Sequence, residues 1–145
     1  MKLSDFRDFE KTTVRVRYAD TDRMGVVYHA NYFEYFETGR ADFIRRIWKP
    51  YAELEKEGLI LPVIEAGCRY YKSAEYDDVL TVCTRVENFT DARLCFHYSI
   101  FKSAEIHSLA EGFTVHCFMN LQGKLRRIPS PLRRILEDLQ TGIRT

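Results

Sequence analysis

The order of the periodic segments constrains the fold more than any other feature of the chain. Between Asn31 and about Trp48, apolar or small residues recur at steps of three and four, at Tyr32, Phe36, Gly39, Phe43 and Ile47. That is the spacing of one helix face. Strand-like runs then follow with no long helix between them: LPVIEAGCRYY (61–71), DVLTVCTRVENF (78–89), ARLCFHYSIF (92–101) and SLAEGFTVHCFMN (108–120). One early helix and a succession of strands predict an α+β fold with an antiparallel sheet, not a parallel doubly wound one. Ahead of the helix, TTVRVRYA (12–19) alternates, with Val14 and Val16 on one face and Arg15 and Arg17 on the other, as in a half-buried strand.

The punctuation agrees with this order. Asn31 followed by Glu34 resembles a capping box, and Pro50 stops the helix. AELEKEG (52–58) predicts a short charged helix ending at Gly58, KSAEIH (102–107) a hairpin turn, and PLRRILEDLQ (131–140) a terminal helix. Tyr32, Phe33, Tyr35 and Phe36 spread apolar surface around the first two turns of the long helix. A helix on a sheet needs only an apolar stripe, so this one is expected to be covered on several sides, by a wrapped sheet or a second subunit. There are no repeats or linkers, and 145 residues form one expected domain, 1–145.

Composition narrows the function. The 22 basic and 21 acidic residues leave a net charge of +1, so no overall field draws the chain to nucleic acid or anionic lipid. The N-terminus lacks a signal-peptide apolar core, and no apolar run approaches the roughly 20 residues of a membrane span, so a cytoplasmic protein is expected. Cys68, Cys83, Cys95 and Cys117 are spread without a C-x-x-C pair and read as buried free thiols on strands. His116 and Cys117 are strand neighbours pointing to opposite faces and cannot form a dyad. Cys95 and His97 share a face but have no third group to orient them. No pair of side chains carries a usual zinc spacing, so neither a metal nor a cofactor is expected.

The chemistry concentrates in RYADTDRMGVVYHANYFEYFETGR (17–40). Asp20 and Asp22 fall where the first strand ends, and Gly25 allows a turn; acids in such places are ordinarily solvated turn formers. Asp22, however, is followed by an apolar loop, MGVVY, that leads into a helix N-terminus. Unpaired N–H groups there suit a carbonyl oxygen gaining negative charge. A carboxylate walled by Met24, Val26, Val27 and Tyr28 would be poorly hydrated and reactive as a nucleophile or general base. This pair of features is a minimal kit for acyl transfer from an ester with a good leaving group. His29 at the helix start reads as a cap, a positioning group or a proton donor. Tyr18 is expected on the same strand face as Asp20 and Asp22.

The residues Tyr18-Ala19-Asp20-Thr21-Asp22, Gly25-Val26-Val27-Tyr28-His29 and Asn31-Tyr32 resemble the signature of the hotdog-fold acyl-CoA thioesterases. The likeness is to the 4-hydroxybenzoyl-CoA thioesterase family, especially its branch associated with the bacterial Tol–Pal cluster. A second block, YYKSAEYDDVLTV (70–82), resembles that family's strand-turn-strand, and the likeness runs over residues 12–129. It implies a five- or six-stranded antiparallel sheet wrapped around one central helix. It also implies dimers, often within tetramers, with sites at the subunit boundary, and an acyl-CoA or acyl-carrier-protein thioester as substrate. The family's catalytic carboxylate falls on Asp22 rather than Asp20, its tyrosine and histidine on Tyr18 and His29, and its polarising backbone N–H at or near His29. The phosphates of coenzyme A would need a local basic patch. The segment 124–134 and Arg93 could supply it, with Arg93 and Arg127 as candidate contacts, while Tyr28 could line an acyl pocket.

Two other functions fit the same fold. A hotdog hydratase or dehydratase would carry a histidine followed by Phe-Pro, but His29 is followed by Ala-Asn-Tyr. A non-catalytic binding module would have no use for Asp22 in its apolar loop. The acyl group stays open among short aliphatic, long-chain, hydroxybenzoyl and dihydroxynaphthoyl thioesters.

Overall fold

A computed structural model of the chain describes residues 1–103 and 105–142. In chain order the elements are β1 (Lys11–Arg15), α1 (Asn31–Ile47), α2 (Tyr51–Lys56), β2 (Leu59–Ile60), β3 (Val63–Tyr70), β4 (Val79–Phe89), β5 (Arg93–Lys102), β6 (Ala110–Cys117), β7 (Met119–Asn120) and α3 (Ser130–Thr141). Five of these strands form one sheet in the order β1-β4-β5-β6-β3, and every neighbouring pair is antiparallel. The strand-like runs thus pair antiparallel as expected, except that the last breaks at Phe118 into β6 and β7, and β7 pairs with β2 instead. The turn expected over 102–107 contains Ala104, which lies outside the described residues.

The sheet curls around α1 because the helix can approach it closely. A Cβ on Gly39 would come within 2.7 Å of Val82 and Thr84 on β4, and one on Gly112 of β6 within 2.5 Å of the Phe36 ring. Those two glycines let Phe36 stack on Tyr98 at 4.5 Å and Phe43 meet Phe96 edge-on at 6.2 Å. Tyr32, Tyr35 and Phe36 are all buried within the single chain, whereas Glu34, Glu37 and Thr38 form an exposed polar stripe. The helix is therefore not apolar all round, as its aromatic crowding suggested. The sheet, the N-terminal segment and α2 together cover its wide apolar face within the chain.

One edge of the sheet is β3. It is an edge strand of eight residues with Val63, Ile64 and Tyr70 among its exposed side chains, and among the described residues no strand pairs with its outer side. The N-terminal segment packs on the face of β4 and β5 turned away from α1. There Phe6 packs on Cys83 and Phe101, and Glu10 is paired with Arg85 at 2.9 Å. Of the four free cysteines, Cys83 and Cys117 are buried as expected, but Cys68 and Cys95 are only half-buried. Among the described residues, no helix is long and apolar enough to cross a membrane.

Candidate active site

The first strand ends earlier than its alternation suggested. After Arg15, Val16 exchanges backbone hydrogen bonds with Asp77 and Asp78, and residues Tyr18–Asp20 close a single 3-10 turn. A turn breaks the two-residue period, so Tyr18, Asp20 and Asp22 do not share a face. Tyr18 is 78% exposed and meets the Tyr76 ring edge-on at 5.8 Å. Asp20 is not a solvated turn former but a buried acid. Its Oδ2 accepts the Arg17 backbone N–H and the Tyr35 hydroxyl, each at 3.0 Å, and its Oδ1 accepts the Arg17 guanidinium at 2.9 Å. Burial alone would raise its pKa, but these donors outweigh burial and hold the carboxyl below the usual range.

Asp20 also shapes the approach to α1. Its backbone carbonyl accepts the Tyr28 N–H at 2.9 Å and the Asn31 side-chain amide at 2.8 Å. Asn31 is thus the first helical residue, tied back to the loop, and not the side-chain cap its spacing with Glu34 suggested; α1 has no side-chain cap. The N–H groups of Val27, Tyr28 and Asn31 are all used, on Ala74, Asp20 and Tyr28. Those of His29 and Ala30 donate no hydrogen bond among the described residues. Two amides at the positive end of the helix, on exposed residues, are thus open to water or a ligand oxygen.

Asp22 sits in the loop that feeds this helix. Its N–H donates to the Val26 carbonyl at 2.9 Å and its carbonyl accepts the Gly25 N–H at 3.0 Å; Gly25 takes φ +80°, where glycine carries no Cβ penalty. The Asp22 Oδ1 accepts the Met24 N–H at 2.8 Å, which aims the half-buried carboxylate. Asp22 and His29 line one cavity of about 270 Å³, together with Val26, Val27, Tyr32 and Tyr70. The expected apolar wall is one-sided: Val27 is buried, but Met24 is 81% exposed, and Tyr28 does not line the cavity. Tyr70 donates its hydroxyl to the His29 carbonyl at 2.8 Å, holding the peptide whose following N–H is free. Burial pushes that hydroxyl up to about 12, so it remains a donor at neutral pH.

Residues 16–138 match the model of the thioesterase-like superfamily. The chain belongs to that superfamily. It is similar to the acyl-CoA thioesterase YbgC of Haemophilus influenzae, 33% identical over 119 residues that cover 81% of this chain and 85% of the relative. Its fold matches that of a DHNA-CoA thioesterase from Staphylococcus aureus with a TM-score of 0.85 at 32% identity, covering 91% of each chain. A Thermus thermophilus protein, TT1821, matches with a TM-score of 0.83 at 37% identity, covering 90% of this chain and 98% of that one. The sheet wrapped around a single helix is the hotdog fold that the motif resemblance implied.

Within the thioesterase protomer, the remaining sequence candidates lie apart from this cavity. Arg93 pairs with Cys117 across β5 and β6, while Tyr70 pairs with Ala110 at the other end of β6. Seven residues of strand, roughly 23 Å, separate the two rows. Arg127 is at the same far end, since the next residue, Ile128, donates its N–H to the Asp91 carbonyl. Tyr70 and Lys72, which do line the cavity, were not singled out from the sequence. Their YYKS segment reads as an ordinary strand end, and only the packing of β3 beside α1 brings it to Asp22.

Proposed function

We propose that this thioesterase hydrolyses an acyl-CoA thioester with Asp22 as its reactive carboxylate. The reading rests on one arrangement: Asp22, His29 and the uncommitted amides at the start of α1 converge on a single cavity. The names of the H. influenzae and S. aureus relatives support the substrate class. In this reading the thioester oxygen accepts the free N–H at His29 or Ala30, which stabilises the oxyanion as the carbonyl carbon becomes tetrahedral. Asp22 either attacks that carbon directly or draws a proton from an attacking water. The C–S bond then breaks, the thiolate leaves and takes a proton, and net addition of one water yields a carboxylic acid and a free thiol. His29 positions the acyl group at the cavity wall. Tyr18, outside the cavity, takes no part in the chemistry.

A second copy completes the site. An antiparallel partner on the unpaired edge of β3 would restore its hydrogen-bond ladder and cover Val63 and Ile64. Antiparallel pairing also places the far end of one protomer's sheet beside the Tyr70 end of the other. The partner's Arg93 and Arg127 would then approach the mouth of the Asp22 cavity, where the phosphates of coenzyme A need cations. The test is thiol release from a panel of acyl-CoA and acyl-carrier-protein thioesters by the parent protein and Asp22→Asn. The turnover number of the variant should fall by about 10²-fold or more with KM little changed, the scale of a lost positioned base. Near-normal turnover in Asp22→Asn would refute the assignment.

A further inference from the structure

Four charged side chains are buried among the described residues, and three have counter-ions: Glu10 with Arg85, Asp20 with Arg17, and Asp42 with Arg45 and Arg46. Arg40 is the exception. It is 8% exposed on α1, and among the described residues no carboxylate forms an ion pair with it. Its Nε donates to the Tyr51 hydroxyl at 3.2 Å and its Nη1 to the Tyr98 hydroxyl at 3.1 Å. Both partners are phenols that burial keeps protonated, Tyr51 being pushed up to about 12. A buried cation held only by neutral groups is costly to keep, so an occupant that neutralises it is expected.

The hydrogen-bond chain beyond Tyr98 carries no compensating charge. A guanidinium can only donate, so the Tyr98 hydroxyl turns its hydrogen to Thr114 Oγ1 at 2.6 Å. Thr114 in turn donates to His116 Nε2 at 2.8 Å, and His116 Nδ1–H donates to the Leu61 carbonyl at 3.0 Å. This order requires a neutral imidazole, and burial favours the same state by lowering its pKa to about 4. The chain starts at Arg40 and ends at Leu61, and both residues line one cavity of about 270 Å³. Tyr51, Leu59 and Pro62 add apolar wall, while the exposed acids Glu37 and Glu55 stand at its rim.

We propose that this cavity is a binding site for a small organic carboxylate, held by the Arg40 guanidinium, with its apolar body against Leu59, Pro62 and Tyr51. The planar fork of arginine matches a carboxylate geometrically, and the apolar walls favour an organic acid over an inorganic anion. A free carboxylic acid is the class of product a thioester hydrolase releases. Binding here needs no turnover, however, so the proposal stands or falls separately from the role of Asp22.

Calorimetric titration of the full chain with benzoate, hexanoate and inorganic phosphate tests it, with the site located by chemical-shift changes at Tyr51 and Leu59. Saturable binding of one of the organic acids at those residues is expected, with phosphate much weaker. Glu55→Gln, on the exposed rim, should tighten binding several-fold because a like charge is removed. Arg40→Met should abolish binding while the melting temperature holds or rises. Three results would overturn the proposal: no saturable binding at Tyr51 and Leu59, binding that survives Arg40→Met, or phosphate binding as well as the organic acids. A drop in melting temperature in Glu55→Gln without tighter binding would also overturn it, by showing that the rim acid itself closes on Arg40.

Discussion

Replacing Asp20 with asparagine should separate a structural acid from a reactive one only two residues away. The carboxylate of Asp20 is 5% exposed and accepts two short donors at Oδ2, the Arg17 backbone N–H and the Tyr35 hydroxyl. A carboxamide oxygen can accept both, but as a neutral acceptor, which lowers each bond by about 1 kcal/mol. The amide nitrogen must then face the Arg17 guanidinium, a donor against a donor. That arginine is 70% exposed and can turn to water, so its contact adds nothing to the estimate. The total is a loss of about 2 kcal/mol, or about 4–8 °C in melting temperature for a chain of this size. The pH dependence has a definite sign. Asp20 has a lower pKa in the folded state, so its contribution is present above the unfolded value of 3.8 and is lost as pH falls through the folded value. The parent protein should therefore lose its melting-temperature advantage over Asp20→Asn on acidification. Turnover should change only a few-fold, because the Asp20 backbone carbonyl that receives Tyr28 and Asn31 remains. Thermal melts between neutral and strongly acidic pH, with thiol-release assays alongside, decide the matter. A variant as stable as its parent, or one as inactive as Asp22→Asn, would refute the division of roles.

Other measurements probe the packing and the assembly. Gly112→Ala should cost about 1–3 kcal/mol in denaturant unfolding, because its Cβ would meet the Gly67 carbonyl at 2.6 Å as well as the Phe36 ring, and backbone cannot yield cheaply. In sedimentation the protein should be a dimer or a larger even assembly at micromolar concentration, and Ile64→Lys on the open β3 edge should produce folded monomers; a monomeric parent would contradict the pairing. His116 should stay neutral in an NMR titration well below its ordinary value of 6.5, titrating near 4. Because its folded pKa is lowered, stability should decline as pH falls from about 6.5 towards about 4.

Local pattern alone predicted the long helix and the main strands, and it pointed to one candidate site residue. Helical spacing from Tyr32 to Ile47 and alternation in the later runs reflect burial against a neighbour on one side, and those periods survive in any fold that supplies the neighbour. Asp22 stood out as a candidate because an acid, an apolar loop and a helix start are consecutive in the chain. The motif resemblance singled out Asp22 over Asp20, but the burial of Asp20 was not legible, because it depends on Tyr35, a residue one full turn into α1, whose hydroxyl reaches back to Asp20 only after the 3-10 turn has formed. Asn31 looked like a cap until its amide found the Asp20 carbonyl. Tyr70 came to line the candidate cavity, and Arg93 and Arg127 fell outside it, through the antiparallel register of β3, β5 and β6, which no single segment encodes. The uncompensated charge of Arg40 is likewise a property of the tertiary structure. A sequence shows which residues carry charge, but only the packed chain shows which of those charges it has enclosed without a partner.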